Sequence, residues 1–216
     1  MEEIVIPEKR ITVYEYSELS DEAKNTAKEK LFIEDPYRTD ILQEYFDEEL
    51  MCMFPESSLK AQFSLCSRQG DGVNIFGELD GRDAAQLLRD PDFKKECEEK
   101  FSPEETERAA NILSRCRNIR LPENPDYSYC MAGQANILDP LCDAAPLDGD
   151  DIAGLGFYAD IELFIISCIE AICRRFKEEG YKFLYEPDEE EVEEIAAVQK
   201  WLFLENGEPY KRSGAA

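Results

Sequence analysis

Histidine does not occur in the 216 residues. Basic residues are scarce: Lys+Arg number 24 against 49 Asp+Glu, for a net charge of −25. The missing imidazole removes the commonest general base, proton shuttle and metal ligand, so Ser-His-Asp and Cys-His chemistry have no base to run on. The shortage of positive charge works against contact with phosphate backbones and with anionic lipid. No pair of cysteines has the C-x-x-C spacing of zinc and redox motifs. The longest strongly apolar run, 163–166 (LFII), falls far short of the roughly 20 residues of a membrane helix. The opening MEEIVIPEKRITVYEY places acids ahead of any apolar stretch, so no secretory signal is read. The expected location is the cytosol, where the eight cysteines at 52, 66, 97, 116, 130, 142, 168 and 173 stay reduced and pack as small hydrophobes. Cys97, Cys116 and Cys168 each fall on the apolar side of a predicted helix.

What remains is an ordinary globular composition, 43% apolar and 34% charged. The length suits one well-filled core. We expect a single domain over 1–216, with 85–156 as a helical or loop insertion. Residues 11–16 (ITVYEY) read as a strand. A helix follows with Ser20 as N-cap and Ala23, Ala27 and Leu31 as its buried stripe. Asp35-Pro36 opens a second helix with Leu42, Tyr45, Phe46, Leu50 and Met53 inside. Leu59, Ala61, Phe63 and Leu65, then Val73, Ile75, Gly77 and Leu79, alternate as the two arms of a hairpin. A short helix is expected over 82–89, and Ser102-Pro103-Glu104-Glu105 is a capping box. Tyr127, Tyr129 and Met131 suggest a strand, and 138–156 reads as a loop. Residues 158–178 form a central amphipathic helix ended by Gly180. Strands are expected at 181–185 and 201–204, flanking an acidic helix over 187–200. Mixed helices and hairpins without βαβ alternation predict an α+β fold, a mainly antiparallel sheet packed against amphipathic helices.

No motif assembles a catalytic site. Gln69-Gly70-Asp71-Gly72 lacks the Lys and the following helix of a phosphate loop. It reads as a hairpin turn in which Gly70 and Gly72 supply positive φ. Asp148-Gly149-Asp150-Asp151 resembles half of a calcium loop, but the twelfth position is Ala159 or Ile161 rather than Glu. No two carboxylates stand out as a glycosidase pair. The expectation is therefore a non-enzyme without metal or cofactor. A carboxylate enzyme with a divalent metal at 139–151 is the remote alternative.

The strongest signal is the acids themselves. Residues 186–194 (EPDEEEVEE) carry seven acids and no base, and 40–49 carry Asp40, Glu44, Asp47, Glu48 and Glu49 with no base. Carboxylates on successive helical turns lie about 5.4 Å apart, a spacing able to imitate phosphates before a basic groove. A solvated face is the ordinary explanation of a charge run, yet solubility needs a net charge of only about 2 to 8 in magnitude. The candidate partner-binding residues are Asp40, Glu44, Asp47 and Glu48 on one helix, and Glu189, Glu190, Glu193 and Glu194 on another.

The segment Tyr14-Glu15-Tyr16-Ser17-Glu18-Leu19-Ser20-Asp21-Glu22-Ala23-Lys24 resembles the opening of a family of small acidic proteins encoded by bacteriophages and prophages. Ser67 with Gln69 to Gly72, Arg68 being inserted, resembles the family's hairpin. Trp201 to Tyr210 resembles its closing aromatic strand and Glu-Asn-Gly turn. The middle of the chain, 85–160, carries none of the resemblance. The resemblance implies a mobile-element origin and brings no catalytic residues. Together with the charge it suggests an anti-defence, anti-CRISPR-like inhibitor of a basic nucleic-acid-binding protein in the host bacterial cytosol, binding neither nucleic acid nor membrane itself. The alternative is a non-catalytic phage adaptor whose charge only keeps it soluble.

Overall fold

The computed structural model describes residues 11–31, 37–66, 71–117, 119–124, 129–147, 151–186 and 189–210. In chain order its elements are α1 (Asp21–Leu31), α2 (Tyr37–Met53), β1 (Ser58–Ser64), β2 (Gly72–Leu79), α3 (Gly81–Leu87), α4 (Lys94–Lys100), α5 (Pro103–Leu113), β3 (Ile119–Leu121), α6 (Leu138–Ala144), α7 (Ile152–Tyr185) and α8 (Glu189–Gln199). Short 3-10 turns cover Tyr16–Glu18 and Ala132–Gln134. The strands form one antiparallel sheet in the order β1-β2-β3, with helices packed on it, an α+β arrangement. The chain divides into two compact units, 39–181 and the two ends 1–38 and 182–216.

The larger unit is built around α7. The hairpin pairs in the register its alternation predicts, with Phe63 opposite Val73, Ala61 opposite Ile75 and Leu59 opposite Gly77. Phe46 of α2 meets Phe63 of β1 edge-on at 5.4 Å and stacks on Phe176 of α7 at 4.5 Å. Phe101, at the end of α4, packs edge-on against Phe164 of α7 at 5.8 Å. Polar side chains tie the turns to this frame. Buried Asp83 accepts from the Glu56 N–H at 2.9 Å and the Ser57 hydroxyl at 2.6 Å. Asn74, fully buried, donates to the Pro122 carbonyl at 3.0 Å and accepts from the Met131 N–H at 2.8 Å. Asp71 accepts from the Cys66 N–H at 2.8 Å and the Tyr181 hydroxyl at 2.7 Å, so the hairpin's Asp has a structural role.

The smaller unit has its own core of Tyr16, Leu19, Ala23, Ala27, Val192, Ala196 and Phe203, with Tyr14 and Trp201 packed on it. Ser20 caps α1 as expected, accepting from the Ala23 N–H at 3.3 Å. Arg38 is buried here. It bonds Glu191 at 2.8 Å, donates to the Phe183 carbonyl and lies 4.5 Å from the centre of the Phe183 ring.

Several expected elements differ, each for a local reason. Over 11–16 only Tyr14 bridges, to Phe203, because the Glu15 N–H goes to the Glu18 carboxylate at 2.9 Å instead of a ladder. The strand at 201–204 reduces likewise to Phe203, bridging Tyr14 and Pro209. Residues 138–144 are helical: Pro140 sits in the first turn, where no N–H is missed, and Glu162 accepts from the Ile137 and Leu138 N–H groups at 2.8 and 3.0 Å. Met131 enters a 3-10 turn rather than a strand, and Tyr127 lies outside the described residues. Gly180 does not end a helix. α7 runs on through 181–185, and the missing side chain lets Leu65, Phe46 and Leu42 close in where a Cβ would lie 2.5 to 3.3 Å from them. Among the described glycines, positive φ falls at Gly77 (+120°) and Gly207 (+83°), while Gly72 opens β2 opposite Ser64. Gly70 and the Asp35-Pro36 cap lie outside the described residues.

By length and composition α7 is apolar enough to cross a membrane, with a mean hydropathy of 1.8 over 18 residues. The short run at 163–166 understated this, because the neighbouring Ala, Cys and Ile extend it. Its apolar stripe, Ile161, Phe164, Ile165, Cys168, Ile172 and Phe176, is buried in the protein, as in a core helix.

Two glycines should respond with opposite signs. At Gly77 a Cβ would strike the Ser58 carbonyl and adopt an unfavourable φ, so Gly77→Ala should cost about 1–3 kcal/mol. Gly156, in α7, faces open space, so Gly156→Ala should add about 0.5–1 kcal/mol through helix propensity. Urea unfolding of the two variants beside wild type checks both. A neutral Gly77→Ala would contradict the backbone described here.

Candidate functional site

The acids divide into those that hold the fold together and those left facing outward. On α2, Asp40, Glu44 and Glu48 are exposed. Asp47 is not one of them. It is half-buried, and its carboxylate accepts from the Ala61 N–H of β1 at 3.3 Å and from Gln43 at 3.1 Å. Gln43 also donates to the Ala61 carbonyl at 3.0 Å. Asp47 is thus a clamp on the edge strand, and the expected four-acid face carries three.

On α8, Glu189, Glu190, Glu193 and Glu194 are all exposed, while Val192 and Ala196 face inward. Glu189 has a partner inside the molecule, Lys24 of α1 at 2.6 Å. That hydrogen bond pulls the Glu189 carboxyl below its ordinary value and raises Lys24. Tyr16 lies beneath this cluster with its hydroxyl buried and without a hydrogen-bond partner among the described residues. Burial, and then the charges of Glu189 and Glu193, push it up to about 12. Among the described residues Glu190, Glu193 and Glu194 form no ion pair, although the charge of Glu193 also bears on Lys24. They belong to the smaller unit, and Asp40, Glu44 and Glu48 to the larger.

Sequence reasoning placed Tyr45 inside with Phe46, but Tyr45 is 41% exposed, its hydroxyl donating to Glu179 at 3.4 Å. Ile41 is 53% exposed on the same side, with Cys52, and Met51, 66% exposed, lies further round the helix. The spacing of 41, 45, 48 and 52 was available in the sequence and marks one helix face. Apolar side chains accordingly lie among the free acids of α2.

Other sites are less organised. An open groove of about 780 Å³ between α5, α6 and α7 is lined by Arg108, Arg115, Asp151 and Tyr158. The Tyr158 hydroxyl is taken up by the Ala145 carbonyl at 2.5 Å, and Asp151 caps α7 through the Gly154 N–H at 2.9 Å. Asp148 and Asp150 of the calcium-like run lie outside the described residues. Among the described residues no group of three or more acids and thiols is placed to hold a metal. Burial pushes the Cys116 thiol up to about 11 and Cys168 higher still. Cys130 is the one shifted downward among the described thiols, by a hydrogen bond from Cys173.

Comparison with known proteins finds no match: no family model fits the chain, and no curated protein or solved structure is similar to it.

The Lys24–Glu189 bond gives a pH signature. Glu189, with a lowered carboxyl, stabilises the smaller unit above the ordinary carboxylate range and loses that effect as pH falls through the lowered value. Lys24, raised, contributes below the ordinary lysine range and loses it in strong base. Glu189→Gln should therefore melt lower than Glu190→Gln, which removes the same charge, between about pH 5 and 10. The gap should close in acid. Melting curves at pH 3 and 7 check this, and a gap unchanged at pH 3 contradicts the pairing.

Proposed function

We propose that this protein inhibits a nucleic-acid-binding defence protein of a bacterial host, a CRISPR effector or restriction nuclease, by occupying its basic channel in the host cytosol. The observation that carries the reading is the row of Asp40, Glu44 and Glu48, exposed on successive turns of one helix with no basic residue between Thr39 and Met53. Glu190, Glu193 and Glu194 support it as a second exposed row on one helix. The resemblance to phage-encoded acidic proteins supports the biological setting. The chain would act without chemistry. Its carboxylates replace phosphates at the target's Arg and Lys residues, and charge complementarity raises the association rate and restricts the partners.

The experiment reverses the free acids and leaves the structural ones. Asp40→Lys, Glu44→Lys and Glu48→Lys form one triple variant, and Glu190→Lys, Glu193→Lys and Glu194→Lys another. These surface changes should shift stability by about 0.5 kcal/mol or less each. Association with a panel of CRISPR effectors and restriction nucleases should be slowed by on the order of tenfold or more at low salt, with a flatter salt dependence. Unchanged on-rates and salt slopes in both variants against every binder in the panel would leave the charge as a solubilising feature and favour the adaptor reading.

A further inference from the structure

The exposed side of α2 has the geometry of a helix-pairing seam. Ile41, Tyr45, Glu48 and Cys52 follow one another at intervals of four, three and four residues, the repeat with which one helix meets another. The inner side of the same helix, Leu42, Phe46 and Leu50, is fully occupied by the core. On the outer side, among the described residues, Ile41, Tyr45 and Met51 remain 53%, 41% and 66% exposed. Two large apolar side chains one turn apart on the seam, with Met51 on its flank, are more than solubility requires, since a solvated helix normally keeps that side polar.

The charges on this face choose its occupant. Glu48 sits within the seam and Glu44 beside it, with Asp40 at its start. Glu179 of α7 joins them, 3.4 Å from the Tyr45 hydroxyl. The nearby cation, Arg175, is already shared between Asp92 at 3.7 Å and Glu179 at 3.9 Å. A second copy of this chain would set these carboxylates against their own kind, which costs several kcal/mol at an interface. An anionic membrane would be repelled in the same way. A helix with apolar residues along one side and Lys or Arg beside them satisfies both features. Its apolar side chains cover Ile41, Tyr45 and Met51, and its cations pair with Glu44 and Glu48.

We propose that the exposed face of α2 is a docking seam for a cationic amphipathic helix on the partner protein. The inference rests on the inhibitor reading above and adds what that reading leaves open, namely that affinity comes from an apolar anchor and charge supplies the rate. Tyr45 and Ile41 are the anchor residues. Aromatic side chains of this kind dominate interface energetics when they become desolvated.

The test uses the full chain and two synthetic peptides of one Leu/Lys composition. In one the leucines follow the heptad a and d positions, and in the other the order is scrambled. Binding is measured by calorimetry, and the contact surface by amide shifts in NMR. The patterned peptide should bind at least tenfold tighter than the scrambled one and shift residues 40–52. Ile41→Ser with Tyr45→Ser, and separately Met51→Ser, should weaken the patterned peptide severalfold and leave the scrambled one unchanged. Thermal melts establish that each variant is folded, and Met51, the most exposed of the three, guards against loss of the double variant. Equal affinity for both peptides would overturn the seam while leaving the charge-based reading intact. So would shifts centred away from α2. Self-association that disappears in Met51→Ser would also overturn it, by making a second copy the occupant. If neither peptide binds, the seam is equally refuted, and the charge-reversal kinetics then decide the inhibitor reading on their own.

Discussion

The stack of Phe46 on Phe176, 4.5 Å apart and nearly parallel, is the contact on which the larger unit depends. It fixes the rotation of α2 about its own axis. With Phe46 turned onto α7, Leu42 and Leu50 must also point inward, and Ile41, Tyr45, Glu48 and Cys52 must point out. Gly180 allows α7 to come this close, because any side chain there would meet Leu65 and Phe46. A buried aromatic pair is worth about 0.5–1.5 kcal/mol beyond the area it removes from water. Its larger consequence here is directional, since the composition of the outward face of α2 follows from which residues the core has claimed.

A chain at net −25 works against its own compactness through self-repulsion. Part of that charge is put to structural use. Asp71 and Asp83 hold turns, Asp47 holds the edge strand, Glu162 and Asp151 satisfy helix starts, and Glu189 and Glu191 pair with Lys24 and Arg38. Each of these carboxylates meets a donor within the molecule. Asp40, Glu44, Glu48, Glu190, Glu193 and Glu194 stand apart as exposed carboxylates on helix faces. The proposed function draws on that second set, and the division between the two sets is a property of the fold rather than of composition.

The elements legible in the sequence were those whose signals are local. The Ser102–Glu105 capping box, the alternation of 59–65 and 73–79, and the amphipathic stripe of α7 need no knowledge of the rest of the chain. The elements misread were decided by tertiary partners. Gly180 looks like a helix stop until Leu42, Phe46 and Leu65 are known to converge on it. Residues 138–144 look like a loop until Glu162 supplies an acceptor for their first N–H groups. Asp47 looks like one more surface acid until the Ala61 N–H is placed beside it. Tyr45 looks like core because aromatic residues usually are, and only the register set by Phe46 shows it outside.

Competition with nucleic acid bears most directly on the central claim that the free carboxylates stand in for phosphates. A nuclease or CRISPR effector that binds this protein is loaded with fluorescent DNA, and the chain is titrated in while DNA release is followed by anisotropy at two salt concentrations. The account predicts full displacement of the DNA by wild type, with a weaker effect at higher salt. Tight binding of the chain with the DNA still in place would contradict it, because the acidic faces would then be acting somewhere other than the nucleic-acid channel.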